Sequence, residues 1–169
     1  MVKMGTGSIE ADCTIRLPKT RRALKQDLRN IAKSCGVGSI YFVKTTTADY
    51  GGHYSRALNR IVIVEQQGQR KVRRITLVFR FFHELTHHLH VQYGLFSAYY
   101  FTQSKAFANL KDPALKKRYG QAAKRVALKA ERHANQKAGE LAEEFYGLDL
   151  EIPEYPKEYL HTDREDIFG

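Results

Sequence analysis

A run of histidines at residues 83–90 constrains the fold of this chain more than any other feature of its sequence. The run reads His-Glu-Leu-Thr-His-His-Leu-His, and its first five residues fit the pattern HExxH. Two histidines four residues apart lie on one face of an α-helix, where their imidazoles can converge on a single ion. The pattern therefore requires a helix here, and it predicts that His83 and His87 bind Zn²⁺.

The residues around the motif also favour a helix. Apolar residues recur at alternating spacings of three and four, which is typical of the buried face of an amphipathic helix. This stripe consists of Ile75, Val78, Phe82, Leu85 and Leu89. We therefore predict a helix over about residues 71–93, with His83 and His87 beside the stripe. The alternative interpretation is that the two histidines are core residues whose nitrogens form hydrogen bonds within the protein and bind no metal.

The other polar residues of the run differ in the roles that they can take. Glu84 is rotated away from the two ligands and can reach a water on the ion more easily than the ion itself, as the general base of an HExxH hydrolase does. His88 falls to one side, and we expect it to be solvated or to contact a ligand without binding the ion. His90 lies about 10 Å along the helix axis from His83, at 1.5 Å per residue, so it cannot join the same ion.

A catalytic zinc site usually has three protein ligands, so a third must come from elsewhere in the chain. The alanine-rich residues 121–146 predict another long helix. One of its faces consists of Ala127, Glu131, Ala134, Ala138, Leu141 and Phe145, among which Glu131 alone is charged. A carboxylate within such a stripe needs a partner, because burying an unpaired charge costs several kcal/mol. We therefore predict that Glu131 is the third ligand.

Other residues fit the third position less well. They are Glu140, Glu143, Glu144, His133, Asp112 and His161. On the predicted helix the first four lie off the stripe or point away from it, and the sequence does not place the last two. A surface glutamate is the alternative interpretation of Glu131. Asn135, one turn later, could donate to Glu131, although we expect an ordinary amide on the helix surface.

Length and charge bound the organisation of the chain. A chain of 169 residues can fill one hydrophobic core. We expect one domain over residues 1–147, with residues 1–12 flexible, followed by an acidic tail over residues 148–169. The formal net charge is +10, and the excess lies in two basic runs, 16–33 and 111–137. These runs predict either solvated helices or a surface for nucleic acid or an acidic protein.

The cysteines and the hydropathy bear on the compartment. Cys13 and Cys35 have neither the number nor the spacing of a disulfide framework or a CxxC site. We expect free thiols. No stretch of the sequence has the pattern of a signal peptide or the length of a membrane span. We therefore expect a cytoplasmic protein that does not contact a membrane.

The remaining segments predict a small sheet and further helices. A helix is expected over residues 19–34, and strands over residues 39–45 and 60–66. Two or three antiparallel strands fit this part of the chain. Residues 95–110 are expected to be helical, and the pair Asp112-Pro113 predicts the start of a short helix that Gly120 interrupts. The expected class is α+β, with a small antiparallel sheet packed against several helices.

With Glu131 on the later helix, the chain resembles the ImmA/IrrE family of zinc-dependent peptidases. Members combine an HExxH helix with a later helix that bears a glutamate ligand in a pattern like E-x-x-A-N-x-F-A. Here residues 131–138 read Glu-Arg-His-Ala-Asn-Gln-Lys-Ala. The resemblance covers about residues 39–145 and implies a zincin-like fold with Zn²⁺ on His83, His87 and Glu131. It also implies cleavage of a regulatory, often DNA-binding, protein.

The sequence departs from the family pattern at three points. Lys137 replaces the usual aromatic residue, and Thr86 stands where glycine or alanine is common. The interval from His87 to Glu131 is long, and residues 96–124 look like an insertion that reshapes the cleft. The HExxH half of the resemblance is therefore more specific than the glutamate half.

The expected reaction is hydrolysis of a peptide bond by a zinc-activated water. Glu84 removes a proton from this water and later carries it to the leaving amine. Tyr54, His53 and Tyr93 are candidates for an assisting group by abundance only. If the strand over residues 60–66 forms the edge of the cleft, it would hold the substrate as an added strand.

Two alternatives to this function stay open. A SprT-like DNA-associated protease has a similar motif, but its third ligand is a histidine, for which only His133 and His161 are available. A non-catalytic protein could use zinc within a binding or sensor module. Glu84 argues against the second alternative, because a structural site needs ligands and not a base.

Overall fold

A computed structural model describes residues 16–46 and 51–153 of the chain. These residues form five helices and four strands, which confirms a mixed α+β class. In chain order they are α1 Arg21–Ser34, β1 Ser39–Thr45, β2 Gly52–Ser55, β3 Arg60–Gln67, β4 Arg70–Lys71, α2 Arg74–Gln92, α3 Ser97–Phe101, α4 Lys105–Ala108 and α5 Pro113–Tyr146. The expected flexible start at residues 1–12, Cys13, His161 and the tail from residue 154 lie outside the described residues.

The sheet is mixed, so the expectation of an antiparallel sheet was wrong. β3 lies between β1, which runs parallel to it, and β2, which runs antiparallel to it. β4 pairs antiparallel with the end of β3. The chain reverses direction on entering β2 and again on entering β3, so β3 returns in the direction of β1 and pairs beside it. Local residue content predicts strands but not this order, because the order depends on which earlier strand each new strand pairs with.

Helix α2 lies at the centre of the core. Its buried apolar residues pack with α1, the sheet and α5, and this cluster includes Leu77, Val78, Phe81, Phe82 and Leu85 of α2, Leu24 and Leu28 of α1, Ile61 and Ile63 of β3, and Ala138 and Ala142 of α5. Full burial of one such large apolar side chain contributes about 1.5–3 kcal/mol. On the α5 side the contact is made by Ala138 and Ala142 and, near the end of the helix, by Phe145 and Tyr146. The small side chains allow the two helix axes to approach closely. Across the described part of the chain, every helix is too short or too polar to span a bilayer.

Helix α5 is longer than the sequence predicts. It runs for 34 residues from Pro113, and the Asp112 side chain accepts hydrogen bonds from the amides of Ala114 and Leu115 at 2.9 and 3.2 Å. The predicted start is therefore confirmed. The predicted interruption at Gly120 is wrong, because a glycine inside a helix costs only about 1 kcal/mol relative to alanine and keeps its backbone hydrogen bond. Residues 95–110, expected to be helical, contain the two short helices α3 and α4.

The continuity of α5 can be tested at Gly120. A Cβ placed on this residue would have no heavy atom within 4 Å. We predict that Gly120→Ala raises the free energy of unfolding by about 0.5–1 kcal/mol, because alanine loses less backbone freedom on folding. Gly147 ends the helix with a φ of 63°, so Gly147→Ala should lower the free energy of unfolding by about 1 kcal/mol. Urea denaturation measures both, and a destabilised Gly120→Ala variant would contradict a continuous helix.

Candidate metal centre

The imidazoles of His83 and His87 converge at one point beside α2. Both side chains are buried, and their Nε2 atoms lie 3.0 Å apart. The rings stand nearly perpendicular, with an angle of 81° between their planes. This arrangement follows from the spacing of four residues, which places both histidines on one face in successive turns.

Glu131 of α5 completes a group of three donor atoms. Its Oε2 atom lies 3.3 Å from Nε2 of His83 and 3.4 Å from Nε2 of His87. The residues next to Glu131 on this face of α5 are buried alanines, among them Ala127, Ala130 and Ala134. Because these side chains are short, α5 approaches α2 closely enough for the carboxylate to reach both imidazoles. The three donor atoms can hold a metal ion.

The charges of these residues favour an ionised carboxylate. Burial by itself raises the pKa of Glu131, but the charges and hydrogen bonds of His87 and His83 outweigh it and hold the pKa far below its usual range. Burial also lowers the pKa of His83, yet the hydrogen bond and charge of Glu131 and the charge of Glu84 bring it above the ordinary value. Glu131 is thus ready to act as an anionic ligand.

Two tyrosines of α3 contact the ligands from outside the group. The Tyr99 hydroxyl donates to Oε1 of Glu131 at 2.7 Å, and the Tyr100 hydroxyl lies 2.6 Å from Nδ1 of His87. Both tyrosines are buried. They belong to the segment 96–124, which the sequence presents as an insertion. The first part of this segment therefore orients two of the three ligands, a role that the sequence did not reveal beyond the aromatic content of the segment.

Glu84 lies beside this group, against strand β2. A Cβ on Gly52 would lie 3.1 Å from both Cγ and Oε1 of Glu84, so the glycine leaves room for the carboxyl group. Burial raises the pKa of Glu84, while the charges of His87, His83 and the neighbouring His53 act in the opposite direction. The net shift is upward, which brings the carboxyl closer to the range in which a general base works best.

The other described histidines of α2 and α5 lie outside the ligand group. His88 is buried and not solvated, because it points to the other side of α2, where its Nδ1 lies 3.2 Å from the Tyr54 hydroxyl and its Nε2 lies 2.9 Å from the Cys35 carbonyl. His90 is buried and does not join the group, as its position along the helix predicted. His133 is exposed, and its Nδ1 lies 2.8 Å from Nε2 of His90.

The other candidates also lie elsewhere. Glu140, Glu143 and Glu144 are exposed on α5, and Asp112 caps its first turn. Asn135 is buried and not a surface amide, because its Nδ2 donates to the Pro153 carbonyl at 3.0 Å. Within residues 16–46 and 51–153, the group of His83, His87 and Glu131 is the one set of three or more such side chains that can share an ion.

Comparison with known proteins gave no match to a family model, a curated protein or a solved structure. The interpretation of the site therefore depends on its own geometry and on the residues of this chain.

The ligand assignment can be tested by removing Glu131. We predict that the protein binds one metal ion per chain and that Glu131→Ala weakens binding by more than ~10²-fold, because two histidines alone leave the site incomplete. Glu143→Ala, an exposed change of the same kind on the same helix, is the matched control and should keep the ion. Competition with a chromophoric chelator measures both affinities. Full occupancy in Glu131→Ala, or loss of the ion in Glu143→Ala, would contradict the assignment.

Proposed function

We propose that this protein is a zinc-dependent peptidase in which His83, His87 and Glu131 hold Zn²⁺ and Glu84 is the general base. The observation that carries the proposal is the convergence of three buried donor atoms with a second carboxyl group, that of Glu84, beside them. A structural zinc site has four protein ligands, whereas a catalytic site has three and an open position. The resemblance to the ImmA/IrrE peptidases points to the same function.

The distances between the donor atoms suit zinc. Tetrahedral zinc with nitrogen and oxygen ligands at about 2.0–2.1 Å has neighbouring ligands about 3.3–3.4 Å apart. The three donor atoms lie 3.0, 3.3 and 3.4 Å from one another. Two imidazoles and one carboxylate are also a donor set that zinc accepts in peptidases. A small displacement of the two histidines would bring the three distances to their ideal values.

The proposed reaction divides the work between the ion and the chain. Bound at this site, Zn²⁺ would supply an acidified water and a positive charge that stabilises the oxyanion. Glu84 accepts the proton of that water and delivers it to the leaving amine. The carboxyl group can do so because it lies beside the ligands but does not belong to the three atoms that converge. Burial excludes competing water from Glu84 and raises its pKa.

Strand β2 is the proposed binding edge for a polypeptide substrate. The earlier expectation assigned this role to β3, but β3 pairs on both sides and cannot accept another strand. Among the described residues, β2 pairs with β3 alone. An extended peptide can add to the other side of β2 through backbone hydrogen bonds, next to Gly52 and therefore next to Glu84. This geometry supports a protein substrate, and the family resemblance suggests a DNA-binding regulator.

The role of Glu84 can be tested by changing it to glutamine, which keeps its size and removes the base. We predict that Glu84→Gln keeps the metal ion and slows proteolysis by at least ~10²-fold, the usual scale for a missing general base. Glu143→Gln, an exposed change of the same kind on α5, should have no effect. Affinity capture with Glu84→Gln supplies the substrate for the assay, and single-turnover cleavage gives the rates. Unchanged cleavage by Glu84→Gln would refute the mechanism, and loss of the ion would favour a structural site.

The contacts of His133 weigh against a SprT-like protease. That alternative needs a histidine as third ligand, whereas His133 is exposed and contacts His90. Its Nδ1 points toward His90 rather than toward the ligand pair. A non-catalytic binding module is less well supported, because it would leave the buried carboxyl group of Glu84 without a purpose.

We also propose that α5 binds nucleic acid weakly and without sequence preference. Seven lysines and arginines between residues 116 and 132 are exposed, namely Lys116, Lys117, Arg118, Lys124, Arg125, Lys129 and Arg132. Residues 113–130 contain no acidic side chain. Arg118, Arg125 and Arg132 follow one another at seven-residue intervals, so they lie on nearly one face about 10.5 Å apart. An unneutralised row of cations is the kind of surface that attracts phosphates.

Three of the five basic residues of α1 contact other parts of the fold, so this helix presents a smaller free positive charge than α5. Lys25 pairs with Glu65 at 2.9 Å, the Arg21 guanidinium donates to the Val72 carbonyl, and Arg29 stacks over Phe42. None of the seven α5 cations forms an ion pair with an acidic residue in the part of the chain that the structure describes. The second basic run is therefore the better candidate for a nucleic-acid surface.

A pair of charge reversals distinguishes the two runs. We predict that Lys124→Glu with Arg125→Glu weakens binding to a short DNA duplex at least ~10-fold. The slope of log affinity against log salt should become less steep by about 2, because two phosphate contacts are lost. Arg22→Glu with Lys33→Glu on α1 makes the same change in net charge and should have a smaller effect. Fluorescence anisotropy between low and physiological salt measures both. Equal effects would indicate attraction to net charge alone, and no binding at low salt would refute the surface.

A further inference from the structure

A chain of hydrogen bonds connects the ligand His87 with the surface of α5. The Tyr100 hydroxyl oxygen lies 2.6 Å from Nδ1 of His87 and 2.7 Å from Nδ1 of His90. Nε2 of His90 in turn lies 2.8 Å from Nδ1 of His133. Tyr100 and His90 are buried, whereas His133 is exposed. These hydrogen bonds thus connect residues of three helices, α2, α3 and α5, and end at a side chain that contacts solvent.

The direction of every hydrogen bond in this chain follows from the first one. A neutral imidazole has one N–H group and one lone pair. An ion on Nε2 of His87 takes the lone pair, so the proton is on Nδ1 and is donated to Tyr100. The single hydroxyl proton of Tyr100 is then donated to Nδ1 of His90. This leaves the proton of His90 on Nε2, from which it is donated to Nδ1 of His133.

The surroundings of His90 meet the requirement that it be neutral. Burial is the largest cause that lowers the pKa of His90, to about 3. The ring is also held in place, because it packs edge-on against Phe96 with 4.9 Å between ring centroids. His90 can therefore accept from Tyr100 with one nitrogen and donate with the other.

The two histidine ligands differ in this respect. Nδ1 of His83 is buried, and no described residue forms a hydrogen bond with it. His83 is thus oriented by the helix, by Glu131 and by the side chain of Asn135, whereas His87 has a dedicated partner at Nδ1. His88 also contacts a tyrosine hydroxyl, that of Tyr54. The other nitrogen of His88 contacts the Cys35 carbonyl, so these hydrogen bonds reach no metal ligand.

We propose that Tyr100, His90 and His133 are positioning residues that fix the tautomer and ring orientation of His87, so that Nε2 faces the ion. This inference rests on the metal site of the proposed function. It adds three residues to that site, none of which touches the ion. Tyr100 acts on His87 directly, His90 acts through Tyr100, and His133 acts through His90. Such partners of a metal ligand affect affinity by about 10–100-fold when they are removed.

NMR of the zinc-loaded parent protein can show which atom donates in each hydrogen bond between His87 and His133. Long-range ¹H–¹⁵N spectra of the imidazoles distinguish the two neutral tautomers. We expect the proton of His87 on Nδ1 and the protons of His90 and His133 on Nε2. The opposite tautomer at His90 would overturn the proposal, because Tyr100 could not then donate to it.

Affinity for Co²⁺ tests the effect of the chain on the ion. Tyr100→Phe removes the hydroxyl that joins His87 to His90 and should weaken Co²⁺ binding by about 10–100-fold and alter the visible spectrum of the bound ion. Tyr54→Phe, which removes the matching hydroxyl beside His88, should leave affinity within about twofold of the parent and the spectrum unchanged. His133→Ala should change the tautomer signal of His90 with a smaller effect on affinity, because it removes only the outer end of the chain.

The outcomes separate this proposal from the metal site itself. If the parent binds neither Zn²⁺ nor Co²⁺, the site fails, and the positioning chain fails with it. If the parent binds Co²⁺ and Tyr100→Phe binds it equally well with the same spectrum, the site stands and the positioning chain is refuted. Equal losses in Tyr100→Phe and Tyr54→Phe would also refute it, because they would indicate a general effect on stability.

Discussion

The close approach of α5 to α2 is the interaction on which the rest of the structure depends. It is possible because buried alanines, Ala138 and Ala142, line α5 where it packs with α2, while Ala127 and Ala130 pack with the tyrosines of α3. The same approach carries Glu131 to the two imidazoles. Outside such a pairing, a buried carboxylate would cost several kcal/mol. Core packing and the candidate metal centre are therefore one interface, and a larger residue in place of an alanine would disturb both.

Helical periodicity made it possible to predict the ligand group from the sequence. The phase of His83, His87 and Glu131 is a local property of two amphipathic helices, so it can be read without knowing how those helices pack. The apolar stripe predicted α2, and the pair Asp112-Pro113 predicted the start of α5. The isolation of a single charge within an alanine face was the most informative signal, because it implied a partner before any partner was known.

Features that depend on distant contacts could not be predicted in this way. The order of the strands depends on the return of β3 to a place between β1 and β2, and the room that Gly52 leaves for Glu84 depends on where β2 passes α2. Tyr99 and Tyr100 reach the ligands only because α3 packs against α5, and nothing in their own spacing marks them. Gly120 misled for a different reason: its intrinsic cost in a helix is small compared with the packing that holds α5 together.

The long interval between His87 and Glu131 bears on when the site can exist. The histidines belong to a helix in the middle of the chain, while the carboxylate belongs to the last helix that the structure describes. During synthesis the histidine pair therefore leaves the ribosome well before its anionic partner. If the site holds zinc as proposed, a partly made or truncated chain has the motif but not the complete ligand set. The proposed hydrolytic activity would then appear only once α5 has packed against α2.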